Sequence, residues 1–118
     1  MKIENIKFKA KKTLDGKWIK GDLVHHKYSD NVWITDYENQ LTSPVDPSTV
    51  CMFTGLNDKN GTPIYEGDIV IYKDNNVERR GTINWDSKTA AFCFGCDFLC
   101  NFPSENIVVV GNKFDKEK

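Results

Sequence analysis

The sequence predicts a mainly β protein whose C-terminal half forms a small barrel. Apolar and polar residues alternate along short runs, which is the period of a strand with one buried face. Glycine, proline, asparagine and aspartate interrupt these runs every ~8–12 positions, the turn spacing of barrels and sandwiches. No window of about twelve residues free of Gly and Pro carries the apolar i, i+3, i+4, i+7 stripe of a helix.

The first part of the chain, residues 1–49, is expected to form a β-hairpin and meander. Asp15 and Gly16 form its first turn, because Gly adopts the positive φ of a tight hairpin without strain. Gly21 and Asp22 are expected to interrupt the chain as a bulge or a second turn. Strands are predicted at residues 6–10, 17–20, 23–26 and 32–35, followed by a polar surface loop over 36–49 that carries Pro44 and Pro47 and has room for one short helical turn.

Residues 50–112 are expected to form the barrel, with 113–118 as a frayed tail and the chain folding as one unit. The run 69–73 (IVIYK) is apolar on both faces, as a core strand is. Residues 50–53 are extended, and strands are predicted at 69–73, 77–85, 90–94, 98–102 and 107–110, with a 3₁₀ turn at 103–106. Five short strands with a 3₁₀ turn before the last follow the order of SH3-like barrels.

The composition disfavours some classes of protein but does not indicate an activity. Sixteen basic residues nearly balance seventeen acidic ones, so the overall charge favours neither a nucleic-acid binder nor a membrane-surface binder. No apolar run reaches the roughly 18 residues that cross a bilayer, and the start MKIENIKFKAKK lacks the apolar region of a secretory signal. We therefore expect a cytoplasmic protein whose four cysteines are reduced thiols.

Four segments of the chain resemble the YopX family of phage and prophage proteins. They are IKFKA at 6–10, TGLNDKNG at 54–61, IYEGDIV at 64–70 and VVGN at 109–112. Lys11 stands where the family has Trp, and KFD at 113–115 stands where it has IYE. The resemblance implies a β domain with an SH3-like barrel, encoded by a phage or an integrated prophage in a bacterial host cell. It supplies no activity.

The central block, residues 54–70, has a structural and a functional interpretation. In the structural one, which the turn chemistry favours, three glycines provide positive φ and short polar side chains bind local backbone. The residues concerned are Gly55, Gly61, Gly67, Asp58, Asn60 and Asp68. In the functional one, the block is a binding loop whose contacts include Asp58, Lys59, Tyr65, Glu66 and Asp68.

Lysines and tryptophans suggest further binding surfaces. Lys7 and Lys9 share a face opposite Phe8, and with Trp18 and Trp33 they could hold single-stranded nucleic acid by charge and stacking. The alternative is a solvated lysine face that protects a sheet edge. The lysines of the first hairpin are Lys7, Lys9, Lys11, Lys12, Lys17 and Lys20. The tryptophans Trp18, Trp33 and Trp85 could also line a groove for an extended peptide, or pack in the core.

The sequence predicts no metal, no cofactor and no catalytic residue. Cys93 and Cys96 form one Cys-x-x-Cys with Cys100 nearby, whereas a structural zinc site usually pairs two such units. His25 and His26 are adjacent on a strand and point to opposite faces, and no nucleophile motif accompanies them. Buried or inert thiols are the expected state of these cysteines.

Two functions from different classes follow from these observations. The first is a non-enzymatic accessory protein that binds a phage or host protein, or itself as a homo-oligomer through exposed β edges. The alternative is a small barrel that binds single-stranded nucleic acid. Neither involves a membrane.

Overall fold

The structure, a computed structural model, describes residues 2–115 and is built from antiparallel strands. Four short 3₁₀ turns cover Ile3–Asn5, Pro47–Thr49, Leu99–Asn101 and Ser104–Asn106. The strands are β1 Phe8–Lys11, β2 Trp18–His25, β3 Val32–Asp36, β4 Thr42–Val45, β5 Cys51–Asn57, β6 Pro63–Tyr65, β7 Asp68–Asp74, β8 Val77–Asp86, β9 Ala91–Phe94, β10 Asp97–Phe98 and β11 Ile107–Asn112. The predicted mainly β class is confirmed. None of the helical turns in this part of the chain is long and apolar enough to cross a membrane.

The chain divides into two compact units, Met1–Phe53 and Thr54–Lys118. The sheet of the first unit has the order β4-β3-β2-β1-β5. Alternation along its strands directs one set of apolar side chains to a common face, where Ala10, Ile19, Ile34 and Val45 form a buried cluster. Lys9, on the same strand as Ala10, therefore projects from the opposite face.

Two predictions for the first unit are wrong. Gly21 and Asp22 form neither a bulge nor a turn, because β2 continues through both of them and pairs with β3. The predicted loop over 36–49 contains the strand β4, which holds Pro44. Proline is tolerated there because β4 is the last strand of the sheet, where the missing N–H is not needed for a further ladder.

The second unit is organised around a five-stranded sheet with the order β10-β9-β8-β7-β11. Among the described residues this sheet is open, and β10 and β11 are its two end strands. One face packs on a cluster of seven buried side chains: Ile64, Val70, Tyr72, Ile83, Phe94, Leu99 and Ile107. Strand β5 continues into this unit and has β6 as its other neighbour.

Details of the second unit also differ from the predictions. Strand β7 buries Val70 and Tyr72 on one face, whereas Ile69 and Ile71 on the other face are only half-buried. The strand predicted over 98–102 ends at Phe98, and a 3₁₀ turn follows because Leu99 turns into the core. The 3₁₀ turn predicted over 103–106 is confirmed at Ser104–Asn106. Of the predicted tail, 116–118 lie outside the described residues.

Candidate functional site

The central block of the second unit is a set of tight turns. Gly55, Gly61 and Gly67 have φ of 91°, 82° and 88°, the left-handed conformation that glycine adopts without strain. Glu66 is half-buried beside Gly67. Tyr65, which sequence reasoning proposed as a binding contact, is only 2% exposed. Its ring therefore belongs to the interior and cannot act as a surface contact.

Asp58 links one of these turns to the end strand β11 by hydrogen bonds. Its carboxylate accepts hydrogen bonds from the amides of Asn60, Thr62 and Val109, each at 2.9 Å. The neighbouring amide of Lys59 donates to the carbonyl of Ile107 at 2.9 Å. Ile107 and Val109 belong to β11, an end strand. The turn therefore occupies backbone groups that β11 would otherwise offer to another strand.

Replacing Asp58 by Asn is expected to destabilise the protein by about 2 kcal/mol near pH 6, because a single amide oxygen cannot satisfy three donors. Burial raises the pKa of Asp58, but the hydrogen bonds from Val109, Thr62 and Asn60 outweigh it and hold the pKa below 3.8. The carboxylate's contribution is therefore complete above pH 3.8 and is lost as the pH falls through the folded-state value. Urea unfolding of both proteins between about pH 2 and 6 measures this. A stability difference that does not shrink in acid would contradict it.

A buried polar pair joins the beginning of β7 to the end of β11. Asn112 donates from Nδ2 to Oδ1 of Asp68 at 2.9 Å, and the amide of Tyr65 donates to Oδ2 at 2.8 Å. Asp68 is 1% exposed and Asn112 is 4% exposed. In the register of the sheet the two residues are directly paired. The segments IYEGDIV and VVGN are therefore one structural element, a buried clasp between two strands.

The first unit carries a surface that we call the lysine face: Lys7, Lys9, Lys11, Lys20 and Trp18. Lys9 is directly opposite Lys20, and Lys11 is directly opposite Trp18. The Nζ atoms of Lys9 and Lys11 lie 4.6 Å and 5.4 Å from the centroid of the Trp18 ring. The Nζ of Lys7 lies 4.4 Å from the ring centroid of Phe53. The sequence-predicted residues Lys7, Lys9 and Trp18 are therefore brought together.

Trp33 lies on the same side of this sheet as the lysine face, since it pairs with Val24 of β2 and alternates with buried Ile34. It is half-buried, and the ring of His26 meets it edge-on at 5.4 Å. Tyr65 and Glu66 belong to the second unit. Of the six predicted binding residues, Lys7, Lys9, Trp18 and Trp33 therefore share one side of the first unit's sheet.

The second unit has an apolar groove, with a volume of about 250 Å³, that sequence reasoning missed. We call it the aromatic groove, and its lining residues are Thr54, Leu56, Ala91, Phe92, Phe98, Leu99 and Cys100. Phe98 is 42% exposed. Trp85 is 44% exposed and packs edge-on against Phe92 with ring centroids 5.0 Å apart. The only signal in the sequence was the density of aromatic residues around the turn at Gly95.

The chain can be compared with known protein families, curated proteins and solved structures. A family model described as YopX protein matches residues 7–117 of the 118-residue chain. The chain belongs to the YopX family. No curated protein and no solved structure matches it. Three of the four segments by which this YopX chain resembles its family, those at 54–61, 64–70 and 109–112, coincide with the turns around Asp58 and the clasp between Asp68 and Asn112.

The four cysteines of the YopX chain differ in burial. Cys51 and Cys93 are buried, and Cys96 and Cys100 are exposed. Burial raises the pKa of the Cys93 thiol above 9.0, which keeps it protonated at neutral pH. Within residues 2–115, no three His, Cys, Asp or Glu side chains are grouped so that they could hold a metal ion. His25 and His26 are both exposed.

Proposed function

We propose that this YopX family member is a non-enzymatic binding module that receives an apolar side chain of a partner protein in the aromatic groove. The observation that carries the proposal is the exposed aromatic ring of Phe98 in an apolar groove, with exposed Trp85 packed against the lining residue Phe92. Exposed apolar surface is costly in water, and where it is contiguous it is typical of interaction sites. Aromatic residues also dominate the binding energy of protein interfaces.

The groove suits a side chain better than a small-molecule substrate. Its volume of about 250 Å³ is below the usual range of ligand pockets, which begins at ~300 Å³. Leu56, Phe92 and Leu99 provide an apolar lining, to which the exposed residue Phe98 also contributes. Phe98 is anchored because its strand β10 pairs with β9, and Arg79 bridges to Asp97 at 2.8 Å. A partner side chain would therefore meet a preformed surface.

The sheet edges are less suited to a partner. Strand β4 contains Pro44, strand β6 has only three residues and begins with Pro63, and β11 is bonded to the turn around Asp58. Strand β10 has two residues, and the 3₁₀ turn Leu99–Asn101 continues along β9. Short strands, proline and covered edges all oppose strand addition. Association through side chains is therefore favoured over the edge pairing that sequence reasoning proposed.

Other parts of the proposal depend on the family. Membership of the YopX family supports an origin in a phage or prophage and action in the cytoplasm of a bacterial host. We retain the SH3-like small barrel as the proposed relationship of the second unit, and its open five-stranded sheet is compatible with it. A second copy of the chain, giving a homo-oligomer, is one candidate partner.

Replacing Phe98 by Asp is expected to weaken partner binding about 30-fold, since a central aromatic anchor typically contributes ~2 kcal/mol. Random peptides displayed on a surface can be selected on the full chain, and the enriched ones measured by fluorescence anisotropy. We expect apolar and aromatic side chains to be enriched. Sedimentation velocity, measured in parallel, tests whether a second copy is the partner.

The matched control is Leu14→Asp, which adds the same charge at a residue that is 93% exposed in the first unit. Leu14→Asp is expected to bind the selected peptides like the wild type. Equal binding by wild type and Phe98→Asp would overturn the proposal, as would failure to enrich any peptide together with a monomer at all concentrations. A dimer that Phe98→Asp dissociates and Leu14→Asp does not would identify the second copy as the partner.

A further inference from the structure

We infer that a pocket beside Trp33 in the first unit receives an arginine side chain of a partner protein. The pocket lies in a different unit from the aromatic groove, and the inference does not depend on the function proposed for the groove. We call it the tryptophan pocket, and its lining includes Thr13, Asp30, Asn31, Trp33, Pro44 and Pro47. Its volume of about 370 Å³ is within the range of ligand pockets, which begins at ~300 Å³.

Rigid apolar rings form the walls of the tryptophan pocket. Trp33 on β3 is directly paired with Pro44 on β4, so the two side chains project from the same face of the sheet. Pro47 begins a 3₁₀ turn that is capped by the carboxylate of Asp46, which accepts the amide of Ser48 at 3.0 Å. Proline loses no side-chain entropy when it is ordered. The walls are therefore preformed, which lowers the cost of binding.

The polar side of the pocket carries a negative charge that has no partner. Asp30 is the only charged residue among the described residues that line it. Within residues 2–115, neither the carboxylate of Asp30 nor the side-chain amide of Asn31 hydrogen-bonds or pairs with another residue. The backbone amide of Asn31 donates to Oγ of Ser29 at 3.1 Å and stabilises the turn. An unpaired carboxylate in the same pocket as the Trp33 indole is suited to a cation.

The lysines closest in sequence to this pocket do not compensate the charge of Asp30. Lys12 is 3.4 Å from the carboxylate of Asp15, with which it forms an ion pair. The Nζ of Lys27 lies 5.2 Å from the centroid of the Tyr28 ring, and it forms no ion pair with Asp30. The carboxylate of Asp30 therefore remains available to a cation from outside the chain.

The lysine face is too far along β2 to oppose a cation in the pocket. Trp33 is paired with Val24 of β2. Lys20 is four residues from Val24 and Trp18 is six, which corresponds to roughly 13 Å and 20 Å along the strand. Both separations exceed the Debye length of ~8 Å at physiological salt. The ring of His26 contacts Trp33 at an interplanar angle of 65° and is the one titratable group packed on the indole among the described residues.

The chemistry of the pocket favours arginine over lysine. A guanidinium is planar, so it stacks on an indole, and its parallel N–H groups match the two oxygens of a carboxylate such as Asp30. The side-chain oxygen of Asn31 is a further acceptor. The aliphatic stem of the arginine would lie against the proline rings. An ammonium group is compact and strongly hydrated, and it gains less from a flat ring.

The openness of the pocket favours a side chain over a free small molecule. Thr13, Asp30, Asn31, Pro44 and Pro47 are all exposed. Pockets for small molecules bury ~70–90% of the ligand surface, which walls made of exposed residues do not achieve. A side chain needs to bury only its end, because the rest of the partner stays outside. The occupant is therefore part of a protein chain.

The test titrates the nitrogen-15-labelled full chain with acetyl-Gly-Arg-Gly-amide and follows the indole N–H signal of Trp33, which the variant Trp33→Phe assigns. The titration is run at about pH 8, where histidine side chains are ordinarily neutral. We expect a saturable shift with a Kd in the millimolar range. Asp30→Asn is expected to weaken binding about five-fold, the upper effect of an exposed ion pair. A peptide with citrulline, which is neutral and has the shape of arginine, is expected to bind about ten-fold more weakly.

The matched control is Glu38→Gln, which removes the same charge from an exposed position beyond the other end of β3. It is expected to bind the arginine peptide like the wild type. The inference is overturned if the Trp33 signal shows no saturable shift, or if the citrulline peptide binds as tightly as the arginine peptide. It is also overturned if Glu38→Gln weakens binding as much as Asp30→Asn does.

Two further ligands decide what the pocket accepts. Acetyl-Gly-Lys-Gly-amide should bind more weakly than the arginine peptide, and tighter binding would overturn the choice of arginine. Guanidinium chloride at the same concentration should shift the Trp33 signal less, because it has no aliphatic stem to pack against Pro44 and Pro47. An equal shift would show that the pocket accepts the free ion and would overturn a side chain as its occupant.

Discussion

Replacing Gly21 by Ala is expected to destabilise the first unit by about 3 kcal/mol or more, the upper range of overpacked positions. Gly21 is buried in the middle of β2, and an added Cβ would overlap the carbonyl oxygen of Thr35 on β3. The obstacle is backbone in a paired strand, which cannot rotate away as a side chain would. Nitrogen-15 correlation spectra should show loss or broadening of the amide signals of β1 to β4, and urea unfolding gives the free energy.

Gly16→Ala is the control for this effect. Gly16 has a φ of 72°, but nothing lies within 4 Å of an added Cβ. The cost there is the left-handed conformation alone, about 1–2 kcal/mol. A Gly21→Ala protein as stable as Gly16→Ala would show that β2 and β3 separate easily, and would contradict the close approach.

Replacing Asp68 by Asn is expected to cost about 2–3 kcal/mol, the penalty for a buried hydrogen bond lost and left unsatisfied. The amide of Tyr65 and Nδ2 of Asn112 each bond a different oxygen of Asp68. Asn provides one oxygen, and its own NH₂ group would then face the NH₂ group of Asn112. The reciprocal change, Asn112→Asp, is expected to cost at least as much, because two carboxylates would face each other in a buried site.

The double variant Asp68→Asn with Asn112→Asp is expected to recover stability to within about 1 kcal/mol of the wild type, since coupled neighbours are not additive. The exchanged pair restores one donor and one acceptor across the contact. The carboxylate introduced by Asn112→Asp would still accept the amide of Phe114, as the side-chain oxygen of Asn112 does at 2.9 Å. Urea unfolding of the four proteins completes the cycle. Additive losses in the double variant would show that the clasp does not act as a pair.

Three residues of the segments that resemble the family, Asp58, Asp68 and Asn112, have a structural role. All three residues are buried. The carboxylate of Asp58 accepts hydrogen bonds from backbone amides, and the side chains of Asp68 and Asn112 hydrogen-bond each other. They hold turns and strands together, and changing them should alter stability first. The proposed binding surface, the aromatic groove, lies largely outside the central segments that carry the resemblance.

The sequence could predict most strands, because alternation and turn chemistry are local. It could not predict that β2 runs through Gly21, since a glycine that permits close backbone approach has the same appearance as one that makes a bulge. It also could not predict β4, because Pro44 argues against a strand unless that strand is known to lie at an edge.

The candidate sites also differ in whether the sequence could predict them. Lys7, Lys9 and Trp18 could be grouped from the sequence because a single hairpin brings them together. The aromatic groove could not, since Leu56 and Phe98 are far apart along the chain and meet only in the folded unit. Tyr65 was placed in a binding loop because nothing local distinguishes a buried tyrosine from an exposed one.

The sequence by itself determined the mainly β class, the positions of the tight turns and the membership of the YopX family, because these depend on local alternation, backbone φ and short motifs. The tertiary structure decided which polar residues are clasps and which surfaces are open to a partner. That decision depends on long-range pairing, such as Asp58 with Val109 and Asp68 with Asn112. Burial is a property of the assembled sheets, and no local pattern specifies it.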